Sequence, residues 1–463
     1  MSLERSSSAA NLVSKINSNR VENEDILSEQ NLVTSTDMAE INNIIIVEDS
    51  FDPNSITGIL NACKKRILRP YMRFLSLMGL RPLLGDHQDR PIFAILIYGY
   101  TIQVILFLLV GYFLQYSSCF RRDRGFGRFP TTFLFTKTEL ETIYEKTCND
   151  TLAFTFIIPN LLHFIGYIYA MIVFRMSDDD QLLILLERVF LLSSHVSNVQ
   201  LNQKHIVKTL WFFIIGSFVW MFSSLTVVSY MMAEGGITFK WLEHSDEWIK
   251  TSMKMLLVVC TIWHDIIQAS VISNYCLEAQ LLKSYVHFMR EKLLEQNLRC
   301  LDWIREVEEL KKLLGYLNEK ISPPVCIFTL ISWTYAISGT IWILERRHPE
   351  ITDDILYIST SVNILNVILW WVIAVAPFIQ AARLTIACDN IQTAGQEVRT
   401  RIFVYQDSPV AELNSILLYT SSLKINAKLF NLPINGKYVG IIFAIMVIYF
   451  LVLGQNHYAH NWT

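Results

Sequence analysis

Seven stretches of this 463-residue chain are long and apolar enough to cross a bilayer, which takes about 20 mostly apolar residues. They run approximately over residues 91–115, 151–174, 209–232, 254–274, 325–344, 356–380 and 438–455. The composition agrees with a polytopic membrane protein: 52% of residues are hydrophobic and 17% charged, where soluble domains carry about a quarter charged residues. The seventh stretch is the shortest and contains Gly440 and Gly454. Residues 1–45 are polar and lack the apolar core of a secretory signal, so they read as a disordered cytoplasmic tail, with the first span as its own insertion signal.

Orientation decides which class of seven-span protein this is. With the N-terminus inside, segments 64–90, 175–208, 276–324 and 381–437 hold 25 Lys and Arg, against 10 in 117–150, 233–250, 345–354 and 456–463. The inner segments are longer, so charge density is nearly equal on the two sides. The sharpest cue is the flank of the first span, with Lys64, Lys65, Arg66, Arg69, Arg73, Arg81 and Arg90. The two glycosylation sequons, at Asn149 and Asn461, both fall outside. Cys119 and Cys148 share the first outside loop and are a candidate disulfide, while Cys63, Cys276, Cys300 and Cys388 fall inside, where thiols stay reduced. An inside N-terminus and outside C-terminus are opposite to a G-protein-coupled receptor. A D/E-R-Y after the third span and an N-P-x-x-Y in the seventh are both absent.

The inner side is rich in amphipathic helix. In 276–322, Leu281, Leu282, Tyr285, Phe288, Met289 and Leu293 repeat at three to four residues, as do Leu301, Ile304, Val307, Leu310, Leu313, Leu314 and Leu317. This reads as the fourth span continuing inward, a turn near Asn297, and a second helix returning to Ser322-Pro323-Pro324. Residues 181–196 extend the second span, and 411–430 form a further amphipathic run before the last. Several apolar stripes on one side call for a packed bundle. The expected organisation is a tail (1–45), a cytoplasmic pre-helix segment (46–90), spans one to four with the ligand-binding part (91–274), a helical anchor (275–324), spans five and six (325–380), further anchor helices (381–437), and a last span with a short extracellular end (438–463). Pro377 either kinks the sixth span or ends it.

Polar groups inside a membrane are costly and mark candidate sites. Asn160, His163, Tyr230, Trp263, His264, Asp265, Trp333, Tyr335, Trp342, Asn363 and Asn366 fall in one outer-to-middle layer of the spans. That mixture suits a small polar or amphipathic ligand. The competing structural account is interhelical hydrogen bonding for the amides and imidazoles, and interfacial belts for the aromatics. His264 and Asp265 are adjacent, so their side chains point about 100° apart and one ligand need not meet both. On the last span Ile448, Leu451, Val452 and Gln455 share a face. Rings of such residues can line a pore, the aliphatic ones closing it by dewetting and the amides replacing part of an ion's hydration shell. Gln455 alternatively marks the span's end.

The sequence contains no H-E-x-x-H, G-x-S-x-G, phosphate loop or metal-spaced Cys/His cluster, so neither an enzyme nor a cofactor or metal is expected. The net charge of −3 gives no reason to expect nucleic acid.

Seven spans, an inside N-terminus, long inner helices on the fourth and fifth spans and a separate last helix resemble the invertebrate gustatory receptor and gustatory-receptor-like family. That family's signature in the last span is Thr-Tyr, five apolar residues, Gln, Phe. Here it reads Ile448-Tyr449, Phe450 to Gly454, Gln455-Asn456. Tyr449 and Gln455 match in spacing, and Ile448 and Asn456 depart from it. The resemblance implies an all-α, plasma-membrane, ligand-gated cation channel. Four copies, as homotetramer or with related receptors, would place the last helix around one pore, with the inner helices as anchor and a tastant or metabolite bound among the outer halves of the other spans. A light- or peroxide-sensing relative and a metabotropic seven-span receptor are the alternatives.

Overall fold

The computed structural model describes residues 56–82, 91–122, 156–176, 181–194, 196, 199–234, 239–242, 245–295, 299–345, 354–398, 410–423 and 425–459. The chain divides into two compact units, residues 1–59 and 60–463, and the membrane-spanning helices all belong to the second. The tail at 1–45 and the sequons at Asn149 and Asn461 lie outside the described residues.

The described chain is almost entirely helical. Helix α1 (Ile56–Cys63) passes through a π turn (Lys64–Leu68) into α2 (Arg69–Leu77). Then come α3 (Pro91–Ser117), α4 (Ile158–Met176), α5 (Gln181–Ser193), α6 (Val199–Glu234) and α7 (Glu247–Glu295). Helix α8 (Cys300–Tyr316) joins α9 (Ser322–Glu345) through a second π turn (Leu317–Ile321), followed by α10 (Asp354–Val398) and α11 (Val410–Ser422). Strands β1 (Lys428–Leu429) and β2 (Leu432–Pro433) form an antiparallel hairpin leading into α12 (Gly436–Ala459). Helices suit these segments because backbone groups in hydrocarbon must be paired within the segment. Six helices are long and apolar enough to cross a membrane, namely α3, α4, α6, α7, the α8–α9 pair and α10, and α12 adds a shorter apolar one over Gly436–Tyr449. The protein is an all-α, multi-pass membrane protein.

Helix α7 is the hub. At 49 residues it is about 73 Å long, more than twice the hydrocarbon thickness, and it packs against α10, α6, α5 and α3. Every residue from Ile267 to Leu282 is buried, so this stretch is enclosed on all faces. Beyond it, Trp303 of α8 is fully buried and donates its indole N–H to Thr420 Oγ1 of α11 at 3.1 Å. Arg290 Nη2 of α7 donates to both carboxylate oxygens of Glu397 of α10, at 2.9 and 2.8 Å, and Lys292 of α7 pairs with Glu306 of α8. Most of the stripe residues read in 276–322 are buried, among them Leu281, Tyr285, Met289, Val307, Leu310 and Leu314, whereas Leu301 at the start of the second stripe is exposed.

Several boundaries differ from expectation. Of the two alternatives for Pro377, ending the helix is excluded: α10 continues through it to Val398. The proline leaves the Ile373 carbonyl without its helical donor, and Trp333 Nε1 bonds the neighbouring Ala374 carbonyl at 3.1 Å. The run 411–430 is not one helix. It stops at Ser422 and turns into the hairpin, where Phe430 and Asn431 take positive φ of 54° and 60°. Two such residues between paired Leu429 and Leu432 make a tight hairpin turn whose first position strains a bulky side chain. Phe430 is held by stacking on Phe378 at 6.2 Å. The Asn318 side chain bonds Asn426 O and Lys428 N, which fixes this hairpin to the π turn beside α9.

Candidate functional site

The chain end of α3 creates the central feature. Cys119 takes φ of 52°, Cys119 N bonds Tyr116 O, and Phe120 N bonds Gln115 O. This is a Schellman cap with cysteine at the left-handed position. Phe120 then packs back beside Leu114 in a cluster with Val228, Met232 and Leu257. Cys119 is disulfide-bonded, and Cys148 lies outside the described residues. Reversed in this way, the chain directs Arg122 into the bundle.

Arg122 and Asp265 form an ion pair with side chains only 4% and 6% exposed. Arg122 Nε and Nη2 reach Asp265 Oδ2 at 2.8 and 2.7 Å. Nη2 also donates to Ser224 Oγ at 2.8 Å, and Nη1 donates to Asn366 Oδ1 at 2.7 Å. Ser224 donates onward to Asp265 Oδ2 at 2.6 Å. The guanidinium carbon lies 4.9 Å from the centre of the Trp370 ring, within cation–π range. Trp220 and Tyr335 meet that ring edge-on at 6.0 and 4.9 Å. A charge pair this buried is costly unless hydrogen bonds support it, and here Ser224 of α6 and Asn366 of α10 bond the guanidinium while Asp265 Oδ2 accepts from both Arg122 and Ser224.

One residue earlier on α7, His264 faces a different cluster. His264 Nε2 donates to Leu108 O at 3.3 Å, and Nδ1 accepts from Gln115 Nε2 at 3.2 Å. His163 Nε2 donates to His264 O at 3.1 Å, and Nδ1 accepts from Tyr112 at 2.7 Å. Both rings are therefore neutral imidazoles with every nitrogen used, and Tyr112 stacks on His264 at 4.5 Å. This is interhelical hydrogen bonding, which accounts for the two histidines without a ligand.

The structure thus splits the expected layer. Asp265 and Asn366 meet through Arg122, with Tyr335 behind Trp370, and His163 and His264 meet each other. Trp333 meets Trp371. Trp263 meets Phe107, and its indole N–H is buried without a partner. Asn160, Tyr230, Trp342 and Asn363 are half-buried. Sequence reading missed Arg122, Ser224, Tyr112 and Gln115. A carboxylate in the middle of a span was the available signal, since it demands a cation somewhere in the chain.

The last helix is the second candidate site. Ile448, Tyr449, Leu451 and Val452 are exposed, and so is nearly every residue from Lys437 to Val452. The backbone of Gln455 belongs to the helix, and its side chain is outside the described residues. Among the described residues no group of three or more His, Cys, Asp or Glu is placed to hold a metal.

The fold is similar to that of the insect olfactory receptor OR5 from Machilis hrabei, with a TM-score of 0.55 at 11% identity, over 85% of this chain and 98% of that one. No family model matches the sequence, and no curated protein does.

Proposed function

We propose that this chain is a chemosensory, gustatory-type receptor that works as a ligand-gated, non-selective cation channel of the plasma membrane. Four copies stand around one pore lined by α12, with the N-terminus cytoplasmic and the C-terminus outside. The observation that carries this reading is α12 itself: an apolar helix, exposed on nearly every side from Lys437 to Val452, while α7 is enclosed by its neighbours. A helix apolar all round and unclaimed by its own bundle is available to other copies of the chain. Closed cyclic symmetry would place four of them about an axis. The Tyr449 and Gln455 spacing of the gustatory signature on this helix supports the same assignment. The shared fold with a protein named as an insect olfactory receptor supports the chemosensory class.

In this reading Val452 is the gate and Gln455, three residues on, the constriction passed by partly hydrated ions. The hairpin at 428–433 joins α12 to α9 and α10, because Ser322 Oγ bonds Lys428 O at 2.9 Å and Thr385 Oγ1 accepts from Ala427 N at 3.2 Å. Ligand binding must favour the open state by tighter binding to it. Heterologous expression with a ligand panel and current recording tests the proposal. Ligand-evoked cation currents from a tetramer are expected, and a protein that is only monomeric or dimeric in native mass measurement removes the pore.

A further inference from the structure

The Arg122–Asp265 pair joins two parts of the chain that are built separately. The carboxylate, Ser224, Asn366 and Trp370 stand on three spanning helices, whereas the guanidinium arrives on the segment after the α3 cap. The helices alone form a cage of acceptors that matches the donors of a guanidinium: one carboxylate oxygen, a hydroxyl and an amide oxygen, with an aromatic face beneath. With Arg122 in place the Asp265 side chain is 6% exposed, and without a counter-charge it would be driven to take a proton or draw in water, so a cation is the favoured replacement. A neutral molecule would leave the carboxylate without its counter-charge, whereas a cation restores it. A second observation points to a ligand. Trp370 is 1% exposed, yet among the described residues its indole N–H has no partner, and that N–H lies at the edge of the ring whose face forms the floor of the cage.

We infer that Asp265, Ser224, Asn366 and Trp370 form a subsite for a small organic cation, a guanidinium or ammonium on an apolar body bearing a hydrogen-bond acceptor, and that Arg122 is its resident occupant with which such a ligand exchanges. The charge of the ligand takes the place of the guanidinium on Asp265, and its acceptor meets the Trp370 N–H. This rests on the ligand-gated reading and names the ligand class for it. Arg122 acts as an internal competitor, so the site responds only to a cation that outbids a tethered one.

The test is binding, measured on the full chain in detergent by thermal shift, with ethylguanidinium, its neutral isostere N-ethylurea, and phenethylguanidinium as a larger cation. Arg122→Ala should melt below the parent. Ethylguanidinium should restore several degrees saturably, N-ethylurea should not, and Arg122→Ala/Asp265→Asn should lose the response. Phenethylguanidinium should bind the parent saturably, and Arg122→Ala at concentrations at least tenfold lower. Equal responses to the cation and the urea, or no gain in affinity on removing Arg122, would overturn the proposal. If Arg122→Ala does not fold, Arg122→Lys keeps the charge with fewer directed donors and should still bind phenethylguanidinium more tightly than the parent; unchanged affinity overturns it. Binding without any current would remove the channel and leave the subsite. Currents evoked only by neutral compounds, with no cation binding to the parent, would remove the subsite and leave the channel.

Discussion

Gly111→Ala should loosen the contact between α3 and α7 that holds the histidine cluster in place. A methyl at Gly111 would stand 2.8 Å from both Cε1 and Nε2 of His264, and 2.9 Å from Cβ of Cys260. Carbon contacts are at their best near 3.5–4.0 Å, so a gap of ~0.7 Å has to open. The ring cannot swing away cheaply. Its nitrogens are committed to Leu108 O and Gln115, and Tyr112 covers its face. The helices must part instead, at an overpacking cost of about 1–3 kcal/mol. Alanine recovers about 0.5–1 kcal/mol through reduced backbone freedom in the helix. The net is a destabilisation of up to roughly 2.5 kcal/mol. For a chain of this size, where 1 kcal/mol moves the midpoint by about 1 °C, that lowers the apparent melting temperature by up to about 2.5 °C. Gly99 on the same helix and Gly216 on α6 have nothing within 4 Å of the added carbon, so alanine there should leave the melting temperature unchanged or raise it. Fluorescence-detected size exclusion after heating ranks the three variants against the parent. If Gly111→Ala melts with the two controls, the close approach of α3 and α7 is wrong.

Val452→Ser should raise basal current, because a polar ring at the gate stays wet, and whole-cell recording without ligand checks it. Gln455→Glu should favour divalent over monovalent ions and Gln455→Arg should suppress cation flux; reversal potentials decide, with surface expression measured for each. Asn318→Ala removes both side-chain bonds to the hairpin base, which should cost about 1–3 kcal/mol in thermal stability and shift the ligand dependence of the current. Mass spectrometry of the unreduced protein should find Cys119 linked to Cys148, and both as free thiols would refute the pairing. A tag on the C-terminus should be stained on intact cells, and staining only after permeabilisation reverses the orientation.

The number and rough position of the helices were legible in the sequence because membrane crossing is a local property: length and apolarity of one segment decide it without reference to any other. The continuation of α7 to Glu295 and the second helix running from Cys300 towards Ser322 came from a three-to-four residue stripe, which is equally local. Whether Pro377 kinks or ends its helix was left open by the sequence, since a proline removes one local hydrogen bond and the surrounding packing decides whether the helix continues past it. Nor was the break after Ser422, where the chain turns because Asn318, Thr385 and Ser322 of other elements take up its backbone groups. Asp265 could be singled out from sequence as a costly charge, but its partner stands 143 residues away and Asn366 stands 244 from that partner. Only packing brings them together. Adjacent His264 and Asp265 were separable by helical geometry alone, whereas which of them meets a charge and which meets amide and phenol partners was decided by the surfaces that α6, α10 and α3 present. Charge pairing between distant segments leaves no period in a sequence; it is selected by the low dielectric of the interior, which admits Arg122 and Asp265 only as a pair.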